Sequence, residues 1–311
     1  MEIYCLNDSL VLQEGFNHFL KEIKKSLFIN PLSCLSLPSL AIKLFLRDFY
    51  DLQNTPIENC IGNKEIFIRK SYKGGTVEVF KPYMKEGYHY DVNSLYPYVM
   101  KEFEYPVGKG VFVRSEEIDF NTFFGFLEVE VYCPRTITIP LLTKYDSVKG
   151  LISPVGTWKD IYFSEELKVA KSLGYKFKII RGISYEKKKI FTNIIKTFHN
   201  LRCKYPKSSP NNTIFKLLMN SLYGRFGMKP ETPVTQIVDK KEYNEIQAIY
   251  DVLDQTVLNE KIVVVFIKKP VIEKLDLLRK FNLITSEKYI SLKNSVLNRS
   301  FFTPIQIADA I

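Results

Sequence analysis

The stretch YHYDVNSLYPYVM, residues 88–100, changes character at its middle. Tyr88, Tyr90 and Val92 alternate as they do along a strand with two unlike faces. Pro97 stands where the first turn of a helix tolerates a residue without an N–H. The segment therefore predicts a strand that runs into a helix. At the junction sits an acid, Asp91, followed at fixed steps by Ser94, Leu95, Tyr96 and Pro97. An acid at the end of an aromatic run, with Tyr96 at a fixed step beyond it, poses the question of what that pair is for.

Partners for that pair lie further along. NNTIFKLLMNSLYGRFGMKP (211–230) reads as a helix. At about 100° per residue, Asn212, Lys216, Asn220 and Tyr223 share a sector of roughly 80°, while Ile214, Leu217, Leu218 and Leu222 lie opposite. One face packs and the other presents a cation, amides and a phenol. Lysine meets a phosphate as a point charge, and a flat tyrosine suits the face of a base. Between the two segments, residues 171–207 carry eleven Lys or Arg and a single acid, Glu186. Tyr175, Phe177, Tyr185, Phe191 and Phe198 are interleaved with these charges, which suits a surface that meets phosphates and stacked bases.

The whole chain agrees with that bias. Its 311 residues hold 44 Lys and Arg against 34 acids, a net charge of +10 that favours polyanionic partners, nucleic acid or an anionic membrane surface. Five separate cysteines without a CxxC pair and three histidines indicate neither a disulfide framework nor a zinc site, so a reducing compartment is expected. No apolar run approaches the roughly 18 residues of a membrane span, so a soluble protein is expected. A single Trp beside 23 Phe and 19 Tyr, with abundant Lys, Ile and Asn, matches an A+T-rich coding sequence and points to an organellar, plasmid or parasite-like genome.

Periodicity predicts helices over Tyr4 to about His18, over 39–50 with Ser39 as N-cap, and over 157–174 with Ser164 capping and Gly174 at the stop. It predicts strands at 110–113, at 123–133 and in IVVVFI (262–267). It also predicts two alternating segments on either side of Gly74-Gly75, which alone would read as a hairpin turn. YNEIQAIYDVLDQTVL (243–258) reads as one amphipathic helix, with Asp251 and Asp254 on its surface. The fold class is α+β, without the regular alternation of a doubly wound parallel sheet.

Asp91-Val-Asn-Ser-Leu-Tyr-Pro97, followed by Lys216-Leu-Leu-Met-Asn-Ser-Leu-Tyr-Gly224, resembles the DxxSLYP and KxxxNSxYG motifs of family B DNA polymerases. Tyr72-Lys-Gly-Gly75 resembles the YxGG element that joins exonuclease and polymerase modules in the protein-primed branch. Tyr4-Cys-Leu-Asn-Asp8 fits the short Tyr-x-x-x-Asp pattern of a 3′–5′ exonuclease motif. Residues 37–49 and 155–167 also resemble segments found in linear mitochondrial plasmid enzymes of this branch.

The resemblance implies an antiparallel palm backed by helices, with helical fingers. Residues 1–65 would be the end of an exonuclease module, 66–170 the first part of the palm, 171–230 the fingers, and 231–311 a palm continuation. It implies nucleotidyl transfer from deoxynucleoside triphosphates to a primer, with primer–template DNA and a terminal protein as partners, no membrane, and a mitochondrial location. Asp91 and the Val92 carbonyl would face Mg2+, and Tyr96 would lie under the incoming sugar. Lys216 and Asn220 would hold the triphosphate, Tyr223 the nascent pair, and Arg202, with Lys204 as rival, a second cation. Tyr72, Gly74 and Gly75 would meet DNA, and Tyr4 and Asp8 would be an exonuclease remnant.

Two-ion catalysis needs carboxylates bridging ions about 3.5–4 Å apart, and the family's second acid comes from a Tyr-x-Asp-Thr-Asp-Ser motif. That motif is not found after Gly224. Tyr145-Asp146-Ser147 imitates its tail in the wrong order, while FFTPIQIADAI (301–311) resembles the start of the helix that precedes it. The expectation is the middle of a polymerase, very poorly active alone. The alternatives are a non-catalytic nucleic-acid-binding remnant and, from another class, a scaffold at a membrane surface.

Overall fold

Ser36 opens the first helix to be built into the core. Its Oγ accepts from the Ser39 N–H, so Ser36, and not Ser39, is the N-cap of α2 (Leu37–Leu44). In the computed structural model, residues 2–228, 234–268, 272–297 and 303–311 are described. They form two compact units, 1–227 with 304–311, and 228–303.

The first unit begins with α1 (Glu2–Leu27), longer than the apolar spacing predicts because Gly15 is carried within it. A π-turn at Phe45–Phe49 extends α2, and α3 (Asn63–Ser71) follows. This helix replaces the expected strand before Gly74-Gly75, and no strand flanks that pair on either side. Alternation over so few residues does not separate helix from strand. Here Phe67 and Ile68 bury together, and Glu65 and Arg69, one turn apart, pair at 2.8 Å. α4 (Leu95–Glu102) carries Pro97 in its first turn as predicted, but 88–93 is exposed coil, not strand.

The sheet is made of β1 (Tyr105–Arg114), β2 (Gly125–Cys133), β5 (Gly156–Phe163) and β6 (Lys176–Lys188). Its order is β1-β6-β2-β5, antiparallel throughout. A small hairpin, β3 (Lys144–Asp146) with β4 (Gly150–Ile152), precedes β5. Gly125 has φ +147°, and a Cβ there would stand 2.0 Å from the Ile183 carbonyl oxygen, so the β2–β6 approach needs a glycine. The predicted helix over 157–174 is a strand and a shorter helix, α5 (Ser164–Ser172). Trp158, Ile161 and Tyr162 have helical spacing, but the aromatic and β-branched run Thr157–Phe163 pairs residue for residue with β2. Gly174 ends α5 in a left-handed conformation, as predicted.

α6 (Thr192–Cys203) and α7 (Pro210–Phe226) pack on α2 and α4. Between them Phe45, Tyr105, Phe191 and Phe226 form an aromatic core with ring centroids 5.0–6.0 Å apart. The unit is completed by α11 (Ile305–Asp309), buried through Ile305, Gln306, Ile307 and Ala308.

The second unit is a three-stranded antiparallel sheet in the order β7 (Val234–Asp239), β9 (Ile262–Lys268), β8 (Asp251–Val257). β9 is its buried centre, as the apolar run predicts. α8 (Lys240–Ile249) covers it, with Ile246 against Val238, Val263, Val265 and Ile267. The helix expected over 243–258 stops at Ile249 and gives way to β8, where Asp251 pairs with Lys274 at 2.9 Å. α9 (Ile272–Lys280) and α10 (Ser286–Leu297) close around Leu275, Ile284 and Leu292. Among the described residues no helix is long and apolar enough to cross a membrane.

Candidate functional site

The turn after Asp91 shapes the site. Ser94 takes φ +54°, the left-handed region that side-chain-bearing residues enter at a cost of about 1–2 kcal/mol, and its carbonyl accepts from the Tyr98 N–H at 2.9 Å. This turn starts α4 and directs the Tyr96 ring onto α7. There it stacks on Tyr223, with centroids 4.0 Å apart and planes 7° from parallel. The two tyrosines predicted from separate motifs are thus one platform.

Tyr72 joins them. Its side chain packs so closely on Gly227, at the end of α7, that a Cβ there would stand 2.4 Å from the Tyr72 hydroxyl oxygen. Burial raises the Tyr72 phenol above its ordinary pKa, helped by the neighbouring Asp309 carboxyl and by Tyr96. Burial likewise raises the Tyr223 phenol, helped by Tyr96 and Tyr72. Gly74 and Gly75 follow in exposed coil.

The polar face of α7 is partly as predicted. Lys216 is exposed, and Asn220 and Tyr223 are half-buried. Asn212 is buried: its amide donates to the carbonyls of Arg202 and Tyr205 at 3.2 and 3.1 Å, and its Oδ1 accepts from Arg202 Nε at 3.2 Å. Arg202 is therefore engaged in closing the α6–α7 turn, whereas Lys204 is exposed on it. Beside the platform, α4, α6 and α7 enclose a cavity of about 470 Å3 whose lining includes Asn93, Ser94, Lys101, Lys196, His199 and Asn200.

Asp91 and Val92 are exposed in the coil that leads into α4. A hard divalent ion takes about six oxygen ligands, and among the described residues no group of three or more His, Cys, Asp or Glu is arranged to hold one. Asp91 and the Val92 carbonyl are thus a partial donor set. Tyr4 and Asp8 lie on the exposed first turns of α1. The other end of that helix is anchored. Glu22 accepts from Ser26 at 2.6 Å, Tyr205 at 2.7 Å and Asn211 at 3.2 Å, and His18 meets Asn211 at 2.6 Å. Burial acts to raise the Glu22 carboxyl, but the Ser26 and Tyr205 hydrogen bonds and nearby cations hold it below its ordinary value.

Spacing alone did not reveal this network, nor the surroundings of Lys73. The Lys73 ammonium is withdrawn from solvent, 2.9 Å from Asp160 and 3.7 Å above the Tyr162 ring. An ammonium over an aromatic face beside a carboxylate has no sequence signal, because its partners are separated in the chain.

Residues 1–306 match the family described as DNA polymerase type B, organellar and viral, and the chain belongs to that family. It is 34% identical over 278 residues to a probable DNA polymerase of Neurospora intermedia, covering 86% of this chain and 28% of that protein. It is 33% identical over 246 residues to a counterpart in Ascobolus immersus, covering 78% and 20%. The chain thus spans under a third of the length of these curated relatives. Its fold resembles that of Phi29 DNA polymerase in complex with primer–template DNA and incoming nucleotide substrates. That match has a TM-score of 0.57 at 19% identity and covers 72% of this chain and 41% of the other.

Proposed function

We propose that this chain is the nucleotide- and primer-binding part of a protein-primed DNA-directed DNA polymerase that replicates a mitochondrial linear element. The observation that carries the reading is the Tyr96–Tyr223 stack, since it joins the Asp91 turn to the helix bearing Lys216 and Asn220. In this reading Tyr96 lies under the sugar of an incoming deoxynucleotide and Tyr223 under the nascent pair. Lys216 and Asn220 hold the triphosphate, with Lys204 or Arg202 as the second cation. Asp91 and the Val92 carbonyl contribute oxygens to Mg2+, the remaining donors being additional to those described.

The chain then divides into an exonuclease tail ending near residue 65, a palm begun by Tyr72, Gly74 and Gly75 at the DNA, and fingers over 171–230, with 231–311 as a palm continuation. Tyr4 and Asp8 would belong to the exonuclease. A terminal protein would prime synthesis. The basic strand–helix run from Lys171 to Lys207 supports a phosphate-rich partner.

The test is fluorescence anisotropy of a labelled primer–template with the full chain. The expected affinity falls steeply with salt and rises when Mg2+ and the matched deoxynucleotide are added, with the nucleotide effect lost in Lys216→Ala. Affinity independent of salt would reject a nucleic-acid role. Salt-dependent binding without a nucleotide effect would leave the non-catalytic remnant as the better reading.

A further inference from the structure

Three consecutive side chains leave the end of α3 in three directions. Ser71 meets Asp309 of α11, Tyr72 meets Gly227 beside the tyrosine platform, and Lys73 reaches Asp160 and the Tyr162 ring on β5. Tyr72, with a backbone N–H bonded to the Ile68 carbonyl at 3.2 Å, is thus fixed from both sides.

The hydrogen bonds at Ser71 constrain where a proton sits. Its Oγ is 2.7 Å from the Ile68 carbonyl and also within reach of the Asp309 carboxyl. A hydroxyl has one proton, and a backbone carbonyl only accepts. When Ser71 gives its proton to Ile68, the contact with Asp309 is a hydrogen bond only if the carboxyl brings a proton of its own. A neutral Asp309 satisfies both contacts at once, and an ionised one forces Ser71 to abandon Ile68.

The charges nearby act the same way. Lys73 attracts an ionised Asp309, but that ammonium is already paired with Asp160, and Glu166 adds a further negative charge. Of the elements packed on α11, α3 brings Glu65 and Arg69, paired with each other, β1 brings the buried Tyr105, and α7 brings Arg225 near its end. Burial is the largest influence on the Asp309 carboxyl, and it titrates at about 7.

From this geometry we infer that Asp309 is a positioning residue: as a neutral acid it latches Ser71 and, with the Lys73 anchor, holds Tyr72 against Gly227 for primer–template binding. Ionisation of Asp309 opens the latch. The inference rests on the DNA-binding reading of Tyr72, and its test separates the two.

Primer–template affinity of the full chain is measured from pH 6 to pH 8 for the wild type, Asp309→Asn, Ser71→Ala, Tyr72→Ala and Asp309→Asn with Tyr72→Ala. Asparagine keeps both an N–H donor and the shape of a neutral acid. The wild type is expected to lose affinity several-fold across the range beyond what Asp309→Asn loses, the two converging at pH 6. Ser71→Ala should be weakened already at pH 6, and the Asn substitution should have no effect in the Tyr72→Ala background. Parallel pH profiles for wild type and Asp309→Asn, or an unchanged effect of Asn when Tyr72 is absent, overturn the latch while leaving DNA binding in place. Absence of binding by every variant, wild type included, rejects the DNA-binding reading itself and the latch that rests on it.

Discussion

The rings of Tyr96 and Tyr223 lie face to face, 4.0 Å between centroids and 7° from parallel, although they come from helices more than a hundred residues apart in sequence. Aromatic pairs contribute about 0.5–1.5 kcal/mol beyond their buried area. A double-mutant cycle with Tyr96→Ala and Tyr223→Ala, read by urea denaturation, should give a coupling of that size. Strictly additive losses would mean that the rings meet without mutual stabilisation.

Gly227→Ala places a methyl group 2.4 Å from the Tyr72 hydroxyl oxygen and 2.7 Å from the ring carbon that bears it. The obstacle is the far end of one side chain, so the ring swings aside. The expected loss of stability is at the low end of about 1–3 kcal/mol for overpacking, with a larger proportional loss of primer–template affinity. Binding unchanged beside a clear fall in melting temperature would show that the Tyr72 position matters only for packing.

Asp309 gives the stability a pH dependence whose sign is fixed. Its folded-state pKa, about 7, lies above the unfolded value of 3.8 because burial disfavours the charged form. The folded chain therefore holds this proton more tightly. The stabilisation is complete below about pH 4 and is lost as pH rises through 7, a change on the order of 1–3 kcal/mol for a group partly reached by solvent. Asp309→Asn should raise the melting temperature at pH 8 relative to wild type and leave the two close at pH 4, with the gap opening as pH rises between those values. Thermal scans with the opposite order at pH 8 would contradict the burial of an acid at this position.

Glu22 runs the other way. Its carboxylate is held ionised by Ser26, Tyr205, Asn211 and nearby cations against the cost of burial. Glu22→Leu leaves the Tyr205 hydroxyl and the Asn211 amide without their acceptor, which should cost about 1–3 kcal/mol. Hydrogen exchange should show the second half of α1 opening more readily. Unaltered exchange there would mean that α1 is held by Ile23 and Leu27 alone.

Elements whose apolar period is long and unambiguous were legible in the sequence. The helix over 210–226, the strand at 125–133 and the central strand at 262–268 all follow from pattern. Thr157–Phe163 and Asn63–Ser71 were not legible, because a short apolar run satisfies both periods and the partner strand or helix decides. The candidate site was legible as separate compact motifs, whereas the meeting of Tyr96 with Tyr223 was not, because the two rings are 127 residues apart and the packing of α4 on α7 brings them together. Asn212 and Arg202 illustrate the limit. Both have the chemistry of ligand-binding groups, and the fold spends their hydrogen bonds on the α6–α7 turn.

The Ser71–Asp309 contact joins positions 238 residues apart, with the whole second unit in the intervening chain. Loop-closure entropy grows only logarithmically with length, so this contact costs little more at equilibrium than one across a much shorter loop. Kinetically the separation matters more, because contacts of high sequence separation slow folding and a chain made on the ribosome offers residue 309 long after residue 71. Until residue 309 has been synthesised, Tyr72 has its lysine anchor and no latch. Newly made chains should thus acquire primer–template affinity in a step that follows, and is slower than, formation of the sheet.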